Sequence, residues 1–175
     1  AFFDIKKLQS FNGEYIRMMP LEDFITAAEV ILTSSAAPWP VERYKPELFR
    51  AMAALVQTRI VVMAEVCALV DFLFLEEPPI DDAAFTKAFS ADFAAPTLGE
   101  IATAFATCEW NAESLKTAVE AVGTKHDVKL GKLQGPLRIA ITGRSVGPPL
   151  FEPIELLGRD ESLRRIKSAL ARAQG

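Results

Sequence analysis

Only two cysteines and one histidine occur in the 175 residues, and that scarcity removes whole classes of chemistry. Cys67 and Cys108 lie in separate helical patterns, form no CxxC and stand apart from the single His126, so neither a disulfide framework nor a zinc site is expected. A reduced, cytoplasmic setting follows. Apolar runs such as Ile60 to Ala64 fall far short of the ~20 residues needed to cross a bilayer, and the opening AFFDIKK lacks the basic-then-apolar layout of a secretion signal. No membrane role is expected. HExxH and GxxxxGK[ST] are absent, which removes the required parts of a metalloprotease and a P-loop enzyme. Glu76-Glu77 and Asp81-Asp82 sit beside prolines, as in a solvated hinge, and His126 reads as an incidental group at the polar end of a helix. With no nucleophile, base and orienter to nominate, the chain is not expected to be catalytic by itself, and it calls for no cofactor or metal.

Apolar residues, by contrast, make up half of the chain, enough to bury a core without staples. The net charge of −4 hides an uneven distribution: residues 1–75 carry −2, residues 76–127 carry −7 and residues 128–175 carry +5. A positive local field is all that a polyanion such as RNA requires at its contact surface. A solvated basic helix would account equally well for Arg164, Arg165, Lys167 and Arg172.

Apolar spacings of three and four, punctuated by turn residues and without a bounded period-two run, predict an all-α fold. Asp4 can cap a first helix with Leu8 and Phe11 inward, ended by Asn12-Gly13; Pro20 then opens a helix with Phe24, Ala28 and Ile31 on one face. From Pro46 a helix carries Leu48, Met52, Leu55 and Val56, and a break is expected near Thr58 to Ile60, where β-branched residues cluster. Met63, Val66, Val70 and Phe74 continue beyond it. EEPPIDD divides the chain into two contiguous small helical bundles, 1–77 and 78–175. In the second, Asp82 can cap a helix through Phe85 and Phe89, Thr97 and Glu100 form a capping box, and Asn111 caps a helix with Leu115, Val119 and Val122. Pro148-Pro149 starts a helix that Gly158 stops, and Asp160 caps the last one, with Leu163, Ile166 and Leu170 inward.

The stretch KLGKLQGPLRIAITGRSVGPPLFE, residues 129–152, is not composed like a core helix. Gly131, Gly135, Gly143 and Gly147 permit close backbone approach, while Pro136, Pro148 and Pro149 fix direction. Lys129, Lys132, Arg138 and Arg144 alternate with them, and Leu150 and Phe151 follow. Cations beside apolar groups on which a base can stack suit a single-stranded RNA loop; a Gly/Pro-rich loop with Phe151 in the core is the competing reading. A helical protein-interaction module with no RNA role, built on the acidic middle segment and Phe85, Phe89 and Phe93, is the alternative function; it would leave an apolar groove open and tie the arginines into internal ion pairs.

At these residues the chain resembles the C-terminal anticodon-binding region of bacterial glutamyl-tRNA synthetases. DIKKLQSFNGEYIR is similar to the family's signature just after the catalytic core, LVQTRIVVMAEV to its middle helix pair, and KLGKLQGPLRIAITG with GPPLFEPIELLGRD to its anticodon-contacting end. The resemblance runs through the whole chain in order. It implies an all-helical anticodon-binding cage in two parts, a monomer, with glutamate tRNA as partner and glutamine tRNA left open. Aminoacylation, with its ATP and Mg, would belong to a Rossmann-type domain that these residues do not contain. Arg59, Arg138, Leu150 and Phe151 match family positions that contact the anticodon, with Arg59 near its third base; Lys132, Arg144, Pro148 and Pro149 complete the implied surface, which would draw on both bundles. Gly135 replaces a larger family residue and removes any base contact from that side chain. An ion pair to Glu65 or Asp71 is the competing role for Arg59.

Overall fold

The computed structural model describes residues 5–174, apart from the Lys6 side chain, so the expected cap at Asp4 lies outside the described residues. Among them are ten α-helices and no strand. The chain divides between Glu76 and Glu77 into two compact units.

The first unit holds α1 (Ile5–Met18), α2 (Leu21–Leu32), α3 (Pro46–Gln57) and α4 (Val66–Phe74), with 3-10 turns at Val41–Arg43 and Met63–Glu65. Phe24, Ala28 and Leu32 on α2 meet Phe49, Met52 and Val56 on α3, all fully buried, and each such side chain contributes about 1.5–3 kcal/mol. Trp39 closes the unit against Phe74, ring centroids 5.0 Å apart, and donates its indole N–H to Leu32 O. Buried Gln57 donates to Ile16 O and Met19 O, both at 2.8 Å, fastening the end of α1. The break after Gln57 is present: α3 ends there, and Ile60 is buried beyond the turn.

Two expectations for α1 fail. The helix continues through Asn12-Gly13, because Asn12 donates to Val61 O and a Cβ on Gly13 would meet Val61 Cγ1 at 3.1 Å: the small residue marks a close approach and not a stop. Leu8 and Phe11 accordingly point outward, and Gly13 and Ile16 form the inner face.

The second unit comprises α5 (Asp82–Ala88), α6 (Ala94–Thr107), α7 (Ala112–His126), α8 (Leu130–Thr142), α9 (Phe151–Leu157) and α10 (Arg159–Gln174). α6 lies against α7, α8 and α10 and contributes Leu98, Ile101 and Phe105 to the core. Asn111 caps α7 as expected, accepting from Ser114 N at 2.8 Å.

The other caps are corrected. Asp81, one residue before Asp82, caps α5 through Ala84 N, leaving Asp82 to pair with Arg172 at 2.6 Å. Thr97 and Glu100 form no capping box: α6 starts at Ala94, tolerating Pro96 in a first turn whose N–H groups have no intrahelical partner anyway. Thr97 is buried and donates to Phe93 O, while Glu100 binds Lys125 and His126. His126 is therefore half-buried and engaged, with Nε2 2.9 Å from Glu100. α9 starts at Phe151, after the prolines, and Gly158 ends it. Asp160 lies inside the first turn of α10; Ile166 is buried there, with Leu163 and Leu170 half-buried beside it.

Candidate nucleic-acid interface

The segment from Lys129 to Phe151 is mostly helix, contrary to its Gly/Pro-rich reading, because α8 runs from Leu130 through Pro136 to Thr142. Proline there removes one helical hydrogen bond, a cost of up to ~3 kcal/mol, against burial of Leu133, Leu137, Ile139 and Ile141. Gly135 lowers that cost, since a pre-proline residue without a Cβ avoids the clash that disfavours helical geometry. A Cβ at Gly131 or Gly135 would meet nothing within 4 Å, so neither marks an internal close approach.

Beyond α8 the chain turns sharply at Gly143, φ +74°, whose carbonyl accepts from Asp81 N at 2.9 Å. A Cβ there would lie 2.2 Å from Pro79 O; the glycine accommodates this unit's own entry loop. Thr142 Oγ1 donates to Arg138 O at 2.9 Å and accepts from Arg144 N at 3.3 Å, fixing where Arg144 leaves the helix. An open hollow of about 400 Å³ follows, lined by Pro79, Ile80, Asp81, Arg144, Ser145 and Val146. A wider one of about 770 Å³ lies where α7 meets α8, with Lys129 and Lys132 on its rim beside Glu120 and Asp127.

Arg138 lies on α8, four residues before its end. Half-buried, it donates from Nη1 to Pro148 O at 2.7 Å, bracing the loop against the helix. Pro148 is buried and Pro149 half-buried. Leu150 and Phe151 face the core, 3% and 7% exposed, so in this structure they support the loop from beneath. Lys132 is exposed and Arg144 half-buried. In the first unit Arg59 is exposed in the turn that ends α3, its N–H donating to Val56 O. Glu65, one carboxylate offered as its partner, accepts from Val61 N and Val62 N at 2.8 and 3.3 Å.

Sequence reasoning missed what holds this face in place. Arg165 is 5% exposed, not part of a solvated helix; it donates to Ile141 O near the end of α8 and to Glu161, each at 2.7 Å. Arg159 donates to Phe105 O and Cys108 O at 2.9 and 2.6 Å, closing α6. An arginine opening a helix opposes the macrodipole, and that unfavourable position was the available signal of an outside partner. Arg172 lies 4.6 Å over the Phe85 ring besides pairing with Asp82. Much of the basic excess therefore serves internal contacts, while Phe85 stacks on Phe89 at 4.4 Å inside the unit.

Glu161 accepts from Arg164 as well as Arg165, and these bonds, Arg164's first, hold its carboxyl below the usual range despite opposing burial. Lys125 and then His126 do the same for Glu100. A depressed folded value means stabilisation that is complete above the unfolded carboxylate value, about 4.3, and is lost as pH falls through the folded one. The second unit should therefore weaken below about pH 4.3, and Glu161→Gln should flatten the dependence of the urea midpoint on pH in that range.

The geometry defines a helical module with a braced, partly basic surface loop. Residues 22–170 match the family model described as "anticodon binding domain", and the chain belongs to that family. It is 49% identical over 175 residues to the glutamate–tRNA ligase of Frankia casuarinae, covering 100% of this chain and 37% of the relative. The glutamate–tRNA ligase of Salinispora arenicola is also 49% identical, with 98% of this chain and 38% of the relative covered. A glutamate tRNA ligase from Elizabethkingia meningosepticum, crystallised with its amino acid, shares the fold at TM-score 0.76 and 23% identity, over 98% of this chain and 33% of its own. The chain thus spans between a third and two fifths of these proteins.

Proposed function

We propose that this chain is the tRNA-reading part of a glutamate–tRNA ligase, working in the cytoplasm as a monomer and presenting glutamate tRNA to a catalytic region outside these 175 residues. The whole-chain relationship at 49% identity carries the reading. Its chemistry suits RNA: Lys132 and Arg144 meet phosphates, and Arg138 reaches the loop while bracing Pro148. Leu150 and Phe151, with Pro148 and Pro149, shape the platform on which bases rest. Arg59 contributes a guanidinium from the first unit, a group able to address a base edge with two parallel hydrogen bonds.

ATP and magnesium are assigned in this reading to the part of the ligase outside these 175 residues. Adenylate chemistry belongs to the remainder of the ligase, and this part contributes binding and register.

The test is filter binding of the 175-residue chain to the anticodon stem-loops of glutamate and glutamine tRNAs and to an unrelated hairpin, across a salt series. The glutamate stem-loop should bind at least about tenfold tighter than the unrelated hairpin, with affinity falling steeply with salt. Lys132→Ala should lower the salt slope by about one with little change in preference. Equal affinity for all three RNAs would defeat the proposal.

A further inference from the structure

α1 carries an apolar stripe that the described residues of its own unit leave exposed. Met18 is 84% exposed, Tyr15 68%, Ile5 63%, Phe11 59% and Leu8 53%. On a 3.6-residue helix Leu8, Phe11, Tyr15 and Met18 fall within an arc of about 80°, away from the inward Gly13 and Ile16, while Ile5 stands apart from them in the first turn. Single exposed apolar residues are ordinary; four large ones in one helical stripe are the pattern of an interface. Within α1, the unit's own packing uses Asn12, Gly13 and Ile16 and leaves Leu8, Phe11, Tyr15 and Met18 more than half exposed.

We propose that this face of α1 is the seat of the rest of the ligase polypeptide, the portion of the relatives that lies outside the matched length. The inference rests on family membership and the proposed parent enzyme, not on how any base is read. That missing portion amounts to more than half of each relative, so a covalently linked neighbour large enough to cover such a face is at hand. The stripe is apolar, and Lys7 sits 5.9 Å above the Phe11 ring at its edge. Such a face suits a packed protein surface and is poorly matched to a ribose-phosphate chain.

Cysteine labelling separates the possible occupants. With Cys67 and Cys108 replaced by alanine, Met18→Cys, Tyr15→Cys and a control, Val41→Cys, are each prepared in the 175-residue chain and in the whole ligase polypeptide carrying it. Val41 is 54% exposed and lies off the stripe. The readout is the maleimide reaction rate of each stripe variant relative to the control. That ratio should fall at least tenfold in the whole polypeptide and be independent of concentration in the 175-residue chain. An unchanged ratio would overturn the proposal. A ratio that drops as the 175-residue chain is concentrated, with dimers in sedimentation, would assign the face to a second copy and overturn it equally. Stem-loop binding by the same variants is read separately, so a failure of anticodon reading leaves this outcome interpretable.

Discussion

Gly143→Ala should be among the most damaging single substitutions in the second unit, costing about 4 kcal/mol. Three effects add at this residue. A non-glycine residue at φ +74° carries strain of about 1–2 kcal/mol. The new Cβ would lie 2.2 Å from Pro79 O, and relieving that overlap costs a further ~1–3 kcal/mol because its neighbour is backbone and not the end of a flexible side chain. Moving Pro79 also disturbs the bond from Asp81 N to Gly143 O, about 1 kcal/mol, and with it the Asp81 cap of α5. For a unit of this size the thermal midpoint should drop by roughly 20 °C. Circular dichroism measures the drop, and amide exchange over α5 and α8 shows where it arises. Gly99→Ala, in the interior of α6 with nothing within 4 Å of its Cβ, should instead stabilise by about 0.5–1 kcal/mol. Equal behaviour of the two variants would refute this account of Gly143.

The contrast shows what was legible from composition and spacing. The all-helical class, the helix break after α3 and the Asn111 cap follow from local rules, since apolar period and short-range side-chain bonds are written in adjacent residues. The misread positions were decided at long range. Asn12-Gly13 has the composition of a helix stop, yet Val61, forty-nine residues from Asn12, makes the same pair an interhelical contact. Thr97 and Glu100 have capping-box spacing, but Glu100 is used by Lys125 and His126 on another helix. Arg165 looks like one more cation on a solvated face until Ile141 O is brought beside it. In each case a favourable tertiary contact outweighs a local preference worth about 1 kcal/mol.

The same division runs through the candidate interface. Which segment carries the cations could be read directly, because charge is additive along a sequence. Which cations face outward could not, because Arg159, Arg165 and Arg172 are spent on carbonyls and carboxylates contributed by α5, α6, α8 and α10. Leu150 and Phe151 show the complementary case: their apolar character was evident, while their position beneath the loop depends on α9 turning inward at its first residue.

Arg138→Ala should weaken binding of the glutamate anticodon stem-loop by about thirty- to a hundredfold, or 2–3 kcal/mol, the larger of the binding effects expected here. The side chain is asked to do two things. It holds Pro148 O at 2.7 Å with Nη1, and it lies so close to Gly147 that a Cβ there would sit 3.3 Å from the same nitrogen; losing it frees the loop that leads into α9. Binding must then order that loop again, at about 0.5–1.5 kcal/mol for each immobilised group, besides losing the proposed RNA contact of ~1–3 kcal/mol. Arg138→Lys separates these effects, because an ammonium keeps the charge without the planar, multi-donor fork. It should retain the wild-type salt slope, as Lys132→Ala does not, yet recover less than half of the lost free energy, and the loop amides should still exchange faster than wild type. Full rescue by lysine would show that only charge matters at this position. An alanine variant that binds the stem-loop like wild type would remove Arg138 from the proposed RNA surface and leave it a brace for Pro148.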